Sequence, residues 1–320
     1  MAEIVLPNAA RPQGFHRGRL AFMHSFKAFC VALGVAVTAA LDPLGASAQG
    51  AKCDRACLTD IMTRYLNAMV AHDPSAIPVA ANVKFTEDTV QMKLGEGAWK
   101  TVTKLRPYRV DFIDVPQGVA AVHTVVEENG APVLFAARLE VVDRRLTEIE
   151  TMVVRNREEG ALWAPENLKE PTAMMKYMPS PSERMPRDQM VALATRYPEG
   201  LRMGSFEKSD VPFAPNAYRF ENGMRMAGPG CTFQPPSCEN MRTQRIPTLA
   251  GMKRRLVAVD EEMGVVLFHL AFGRGSLPGP NAQKGLGLVT FEAFKVYGGM
   301  VHAAEAIFEA QPAEGPFGWE

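Results

Sequence analysis

The sequence carries no excess charge of either sign, because 35 Lys and Arg residues balance 35 Asp and Glu residues. Binding to nucleic acid or to anionic lipid requires a basic surface, and this composition offers none. The chain also lacks a Ser-His-Asp order, a phosphate-binding glycine loop followed by a helix, and a metal-ligand box. We therefore expect the partner to be a small apolar or aromatic molecule, bound without cofactor, metal or nucleic acid.

No apolar run at the N-terminus is long enough to span a bilayer. Residues 28–41 form a run of fourteen that stops before Pro43 and is followed by the small residues Ala46–Ala48. This pattern predicts a secretory signal peptide over residues 1–48, cleaved after Ala48. The alternative is an ordinary amphipathic first helix, but the run has no polar face. The prediction implies a periplasmic or secreted protein without a membrane span in its mature form.

Cysteines are few, and loss of the signal peptide leaves an even number, which favours disulfides in an oxidising compartment. Cys231 and Cys238 enclose the loop CTFQPPSC and are predicted to bond to each other. Cys53 and Cys57 can bond if Cys53 lies at the frayed start of a helix. A cross-domain pairing and a zinc site remain as alternatives, although C-x3-C with C-x6-C is poor zinc spacing.

One stretch of the chain occurs twice. Residues Gly118–Gly130 (GVAAVHTVVEENG) correspond to Gly264–Gly275 (GVVLFHLAFGRG), and both carry one His five residues after the opening Gly. Self-similarity at one large spacing is the mark of a duplicated domain. The spacing of 146 residues also relates two further pairs, Arg109 with Arg255 and Asp114 with Asp260.

Each half has the same predicted order of elements, a helix followed by a meander of antiparallel strands. In the first half, apolar residues at helical spacing include Leu58, Tyr65 and Met69. The strands are predicted at Val83–Glu87, near Val90–Met92, and at Tyr108–Val115, Val119–Glu127, Pro132–Val142 and Leu146–Val154. The predicted fold class is α+β, with a signal peptide (1–48), a first domain (49–155), a linker (156–185) and a second domain (186–320).

Several short motifs resemble those of known proteins: Cys53–Cys57 (CDRAC), Val83–Glu87 (VKFTE), Glu96–Thr101 (EGAWKT), Arg219–Gly223 (RFENG) and Val259–Val265 (VDEEMGV). They are similar to motifs of an uncharacterised family of secreted fungal and bacterial proteins. The order of elements resembles the nuclear transport factor 2-like superfamily of the SnoaL and ketosteroid-isomerase type. The resemblance implies two tandem cone-shaped α+β barrels with a pocket between helix and sheet. Enzymes of this type usually need no cofactor, but no catalytic residue of theirs can be matched here.

The two histidines, His123 and His269, are the first candidates for chemistry, because an imidazole can accept a proton near neutral pH. The alternative is a core His bonded to a backbone carbonyl. In the predicted mechanism His123 removes a proton while Tyr65 or Arg109 stabilises the oxyanion. The charged strand YRVDFID, which holds Arg109, is more typical of a solvated or interface face than of a catalytic one.

Further pocket candidates are residues that the predicted fold places near the helix or on the meander: Trp99, Asp111, Glu150, Tyr197, His269 and Glu305. Glu150 and Glu305 could each face a His across the meander, or face solvent. These residues lead us to expect a cofactor-independent lyase, dehydratase or isomerase, with the first domain as the active one. A non-catalytic periplasmic binding protein is the alternative, and we also consider a homo-oligomer formed through the sheet faces.

Overall fold

The computed structural model describes residues 52–233, 235–244, 246–249, 251–273, 285–312 and 318–319. The predicted signal peptide (1–48) and most of the Gly/Pro-rich loop at 273–285 lie outside the described residues. Within them, no helix is both long enough and apolar enough to cross a membrane.

The described residues form two six-stranded sheets, each accompanied by one long helix. The helices are α1 (Arg55–Val70), α2 (Arg157–Gly160), α3 (Ala173–Lys176) and α4 (Arg187–Met203). The first sheet contains β1 (Val79–Glu87), β2 (Val90–Met92), β3 (Val102–Asp114), β4 (Val119–Glu128), β5 (Ala131–Val142) and β6 (Arg145–Val154). The second contains β7 (Phe213–Glu221), β8 (Met224–Ala227), β9 (Lys253–Asp260), β10 (Val265–Phe272), β11 (Leu286–Tyr297) and β12 (Met300–Pro312).

Both sheets have the same topology. Their strand orders are β2-β1-β6-β5-β4-β3 and β8-β7-β12-β11-β10-β9, and in each sheet the first strand in the chain (β1 or β7) runs parallel to the last (β6 or β12). The hydrogen bond between Val141 N and Gly118 O (2.8 Å) recurs between Val296 N and Gly264 O (2.7 Å). The predicted fold of two tandem α+β domains is confirmed.

Strand β3 starts six residues before the predicted strand, at Val102 rather than Tyr108. Its position at the edge of the sheet explains why Pro107 does not end it, because an edge strand can leave a proline unpaired. The register between β3 and β4 shifts between Leu105 and Arg109, at the same place.

Helix α1 begins where the sequence provides a cap. The Asp54 side chain accepts a hydrogen bond from Cys57 N at 2.9 Å, which satisfies one of the free N–H groups of the first turn. The predicted disulfides are both present, Cys53–Cys57 at this helix start and Cys231–Cys238 in the second domain. The apolar face of α1 packs on one face of the first sheet and buries a core that includes Leu58, Ile61, Met62, Tyr65 and Met69. The corresponding face of α4 packs on the second sheet around Met190, Ala194 and Tyr197.

The opposite faces of the two sheets pack against each other within the chain. This interface is an apolar cluster with residues of both domains, among them Phe112, Ala121, Leu267 and Phe291. The sheet faces that we considered for a homo-oligomer are therefore covered by the other half of the same chain.

Two equivalent ion pairs connect the two domains. The Arg55 guanidinium donates to both carboxylate oxygens of Asp260 at 2.8 and 2.9 Å, and Arg187 donates to those of Asp114 at 2.8 and 2.6 Å. Each Arg is the first residue of a long helix, and each Asp ends the edge strand of the other domain. We call these four residues the Arg–Asp clamp. Its reciprocal arrangement is that of a two-fold interface, here formed within one chain.

Candidate functional site

The interior of the first domain, between α1 and its sheet, is filled by large side chains. Tyr65 is fully buried and Trp99 is 1% exposed, and their rings meet edge-on with centroids 5.3 Å apart. Among the described residues, the Tyr65 hydroxyl and the Trp99 indole nitrogen have no polar partner other than each other. Burial raises the pKa of Tyr65. Trp99 thus belongs to the core of this domain rather than forming the roof of a pocket.

His123 lies on the other face of the first sheet, so it does not share a site with Tyr65. Its neighbours on β4 at every second position, Ala121 and Val125, belong to the interdomain cluster, and its ring meets Phe112 edge-on. Burial lowers the pKa of His123 to about 3, against a weaker opposing hydrogen bond with the Phe291 backbone. The sheet therefore separates the predicted base His123 from the predicted oxyanion donor Tyr65, and its lowered pKa makes His123 a weak base at neutral pH.

Arg109 also lies away from His123, although the repeat pairs it with Arg255. Arg109 donates to Asp111 at 2.8 Å, on the face of β3 that is directed toward α1. In the second domain the register between β9 and β10 shifts by one residue, which places Arg255 directly opposite His269. A one-residue shift moves a side chain to the opposite face of a sheet. Burial raises the pKa of Asp111, which the Arg109 charge and hydrogen bond oppose.

Glu150 does pair with a histidine, but with that of the other domain. His269 Nδ1 lies 3.1 Å from Glu150 Oε1, and Arg255 Nη2 lies 2.6 Å from both carboxylate oxygens. Burial alone would raise the pKa of Glu150, but His269 and Arg255 bring it below its usual value. Burial lowers the pKa of His269, and Glu150 opposes this in part. Arg255 and Glu150 thus form a partly buried ion pair across the domain interface, and His269 is the third member of this group.

Glu305, the counterpart of Glu150, faces no histidine. Its Oε1 accepts hydrogen bonds from the Tyr218 hydroxyl and the Thr172 hydroxyl, both at 2.7 Å. Burial raises the pKa of Glu305, and these two hydrogen bonds oppose the rise. Glu305 therefore holds the linker residue Thr172 to the second sheet.

Polar groups converge in the interior of the second domain, between α4 and its sheet. Arg219 on β7 is 8% exposed and donates from Nη1 to the Tyr197 hydroxyl at 3.1 Å. When the side-chain amide of Gln244 is oriented with its oxygen toward the Arg219 guanidinium, this oxygen accepts hydrogen bonds from Arg219 Nη1 and Nη2 at 3.1 and 3.0 Å. Glu221 Oε1 lies 2.9 Å from Arg219 Nε. Glu292 on β11, 3% exposed, completes the group through a hydrogen bond with Tyr197. We call these five residues the interior polar cluster.

Glu292 is the most perturbed acid of this cluster. Burial raises its pKa to about 8, and the charge of Glu221 adds to the rise, while Arg219 and the Tyr197 hydrogen bond oppose it. A carboxyl group with a pKa near 8 is mostly protonated at neutral pH and can then donate a proton or a hydrogen bond. Tyr197 is surrounded by aromatic rings, with centroids 4.6 Å from Phe206 and 4.8 Å from Phe294.

The first domain has no equivalent cluster. The paired registers of β5 with β6 and β11 with β12 make Ala137 the counterpart of Glu292. Those of β1 with β6 and β7 with β12 make Phe85 the counterpart of Arg219. The tyrosine (Tyr65 and Tyr197) and one acid (Glu87 and Glu221) are common to both interiors, whereas the arginine and the second acid are not. We expected the first domain to carry the chemistry. The structure gives that role less support in the first domain than in the second.

A groove of about 140 Å³ lies on the surface next to the interior polar cluster. Two of its lining residues, Ala217 and Met241, also belong to the apolar core that contains Tyr197. The segment after the Cys231–Cys238 disulfide supplies both Met241 and Gln244. This segment therefore covers part of the interior of the second domain.

Sequence reasoning selected Tyr197 but missed Glu292, Arg219 and Gln244. A signal for Glu292 was present, since it is the single acid of the apolar strand LGLVTFEAFKVY. Phe294 and Val296, two and four residues further along the same strand, lie in the apolar core. Because alternate residues of a strand share one face, this pattern predicts that the Glu292 carboxyl also points into the core. Gln244 follows an irregular loop, and no pattern connects it with Arg219.

The fold and the duplicated topology define a tandem α+β protein with two domains of the same strand order. Residues 51–153 and 183–308 both match the family described as "Domain of unknown function (DUF8021)", so the chain belongs to that family and contains its domain twice. A search of curated proteins found no match.

Several solved structures are similar to parts of the chain, and three of them are described here. A de novo designed protein with a curved β-sheet is 19% identical, with 31% of this chain and 87% of that chain covered and a TM-score of 0.27. A nuclear transport factor 2-like protein of unknown function from Cytophaga hutchinsonii is 11% identical, with 30% and 88% covered and a TM-score of 0.23. AclR from Streptomyces galilaeus, which carries a provisional assignment as a hydroxylase, is 14% identical, with 43% and 95% covered and a TM-score of 0.27.

Proposed function

We propose that the second domain is a cofactor-independent acid–base enzyme, a lyase, dehydratase or isomerase, acting on a small apolar or aromatic molecule. The single observation that carries the proposal is Glu292, a buried carboxyl group whose pKa is raised to about 8 beside a phenol and a guanidinium. Titratable groups perturbed by burial and by a specific charge partner are typical of catalytic sites.

The chemistry follows from the protonation states. Glu292 in its acid form protonates a carbonyl or a departing hydroxyl group, and its conjugate base can take a proton back from carbon in the next step. The Tyr197 hydroxyl and the Arg219 guanidinium stabilise the negative charge that develops on the substrate oxygen. Phe206 and Phe294 provide the apolar surroundings in which such interactions are strong.

The test is turnover of a panel of aromatic alcohols, lignin-type dimers and hydroxy-ketones by the wild-type protein and matched variants. We expect Glu292→Gln to lower kcat/KM by about 10²–10⁴, because a positioned acid–base group contributes about that factor. Tyr197→Phe should lower it as well, whereas Tyr65→Phe, the same change in the first domain, should not. Full activity of Glu292→Gln, or equal losses in both tyrosine variants, would contradict the proposal.

We also propose that the protein works in the periplasm or outside the cell. Both disulfides support this, since such bonds persist in oxidising compartments. Intact mass of the protein recovered from its native host should correspond to a chain that starts at Gln49, with no alkylation in the absence of reductant. A mass that retains residues 1–48, or two or more alkylated cysteines, would overturn it.

A further inference from the structure

The first hairpin of each domain is in contact with the other half of the chain. Strands β1 and β2 are joined by the two-residue turn Asp88–Thr89, and strands β7 and β8 by the equivalent turn Asn222–Gly223. Gly318, which follows β12, lies on the first of these turns, where an added Cβ atom would be 2.9 Å from Thr89 O. Ala164, which follows β6, lies on the second, where its N–H donates to Asn222 O at 2.9 Å. We call the contacts of the two turns with the other half of the chain the first joint and the second joint.

Asp88 and Asn222 occupy equivalent positions and accept equivalent hydrogen bonds. Each side-chain oxygen accepts from a backbone N–H of the last strand of its own domain, Asp88 Oδ1 from Val153 at 2.8 Å and Asn222 Oδ1 from Phe308 at 2.9 Å. The registers of these strands make Val153 and Phe308 equivalent as well. The two side chains therefore differ in their second polar atom, which is an oxygen in Asp88 and an NH2 group in Asn222.

The NH2 group of Asn222 holds the second joint together. Its Nδ2 donates to two carbonyl oxygens of the linker, Gly160 O at 3.3 Å and Leu162 O at 2.9 Å, and to Phe308 O at 2.8 Å. An amide does not titrate, so it remains a donor at every pH at which the protein is folded. The hydrogen bonds of the second joint are therefore independent of pH.

The carboxyl group of Asp88 meets a second carboxyl group instead. Glu309 on β12 is 3% exposed, and its side chain is hydrogen-bonded to that of Asp88. Two ionised carboxylates have no hydrogen atom to share, so this bond exists only while the pair holds at least one proton. The strand registers make Val154 the counterpart of Glu309 at the second joint, where no such pair can form.

The surroundings of the pair are strongly acidic. The charged and polar groups around it are Glu87, Glu128, Arg155, Glu159 and Gln311. Within this group Arg155 is the single cation, and its Nε donates to Glu128 at 2.8 Å while its Nη1 lies 3.8 Å from Asp88 Oδ2. One guanidinium does not balance so many carboxylates, and this favours retention of a proton on the pair.

The direction of the pH dependence follows from the burial of both acids. Burial raises the pKa of Asp88 to about 7, and the Glu87 charge adds to the rise. Burial also raises the pKa of Glu309 well above its usual range, and the Asp88 charge adds to that rise. Carboxyl groups with raised pKa values contribute stability at low pH and lose it as the pH rises through their folded-state values. The bond between them should therefore weaken as the pH rises above about 7.

We propose that the first joint is a pH-dependent contact between the two domains, closed while Asp88 and Glu309 share a proton and opened when both are ionised. Opening frees the end of β12 together with Trp319, which packs on the same hairpin. Trp319 Nε1 donates to Thr86 Oγ1 at 2.9 Å, and its ring centroid lies 4.0 Å from Lys84 Nζ. None of these residues belongs to the interior polar cluster, so the proposal is independent of the proposed function.

The test is amide hydrogen exchange of the full chain, read by mass spectrometry at a series of pH values. Residues 219–226, the equivalent hairpin with Asn222, serve as the internal reference for residues 85–92. After correction for intrinsic exchange rates, the protection of 85–92 relative to 219–226 should fall at least about tenfold between about pH 6 and about pH 9, because each pH unit above the pKa favours the ionised form about tenfold.

Two variants should remove this pH dependence. Asp88→Asn copies the residue of the second joint, and Glu309→Gln offers an amide to the Asp88 carboxylate, so in both a donor is present at every pH. Glu170→Gln, which removes an acid whose side chain is 74% exposed on the linker, is the charge-matched control and should behave as the wild-type chain. A constant protection ratio in the wild-type chain, or the same fall with pH in Asp88→Asn and Glu309→Gln, would overturn the proposal.

Discussion

Glu292→Gln should remove a large part of the pH dependence of folding stability. The folded-state pKa of Glu292 is about 8 against 4.5 for the free group, so the neutral carboxyl is favoured by folding. A carboxyl group with a raised pKa contributes its stability below the unfolded-state value and loses it as the pH rises through the folded-state value. The gap of about 3.5 pKa units corresponds to roughly 5 kcal/mol between pH 4.5 and pH 8.

The measurement is the free energy of unfolding from urea titrations at a series of pH values for both proteins. At pH 4.5 and below, the two curves should lie close together, because the glutamine imitates the neutral acid. Above that pH the wild-type curve should fall relative to the variant by several kcal/mol. Other buried acids, such as Asp88, whose pKa burial raises to about 7, contribute to both curves and cancel in the difference. Parallel curves would show that Glu292 ionises normally and would remove the basis of the proposed acid–base role.

Asp260→Ala should destabilise the protein by about 3–5 kcal/mol, because it breaks a buried ion pair by removing one partner. Asp260 is fully buried and accepts four hydrogen bonds: two from Arg55, one from Ile113 N at 3.0 Å and one from Met263 N at 3.0 Å. The variant leaves a partly buried guanidinium and two backbone N–H groups without an acceptor. An unsatisfied buried donor costs about 1–3 kcal/mol by itself.

The pseudo-symmetry supplies the matched variant. Asp114 accepts from Arg187, from Val259 N at 2.8 Å and from Gln117 N at 3.2 Å, so Asp114→Ala should have a similar cost. Asp60→Ala is the control, since its ion pair with Arg64 lies at the surface of α1 with side chains 62% and 49% exposed, and exposed pairs are worth about 0–1 kcal/mol. Chemical denaturation followed by circular dichroism measures all three. A loss below about 1 kcal/mol in both clamp variants would show that the interdomain cluster, not the clamp, holds the halves together.

Part of this architecture could be predicted from the sequence because it depends on local patterns. The helical spacing of Leu58, Tyr65 and Met69 fixed the buried face of α1, and the turn signals around Gly118 and Gly264 set the meander. The repeat also pointed to Asp114 and Asp260 as equivalent residues. Their role in the clamp could not be read, since each pairs with an arginine more than 70 residues away.

The histidines show where local patterns fail. Strand β4 is apolar at both its odd and its even positions and is buried on both faces. The alternation of polar and apolar residues therefore does not reveal which face of the sheet His123 occupies. The pairing of Glu150 with His269 and Arg255 depends on the register shift between β9 and β10, which no residue pattern in the sequence predicts.

The sequence by itself determined the duplication, the α+β order of elements and the cystines, because each follows from residues close together in the chain or from repetition along it. The tertiary structure decided which faces of the two sheets meet, and this choice buried both histidines in the domain interface. It also decided that Arg219 and Glu292 lie beside the phenol of the second domain, at positions where the first domain has Phe85 and Ala137. The physical reason is that a site made of β7, β11, α4 and a distant loop exists only after long-range strand pairing has set the register.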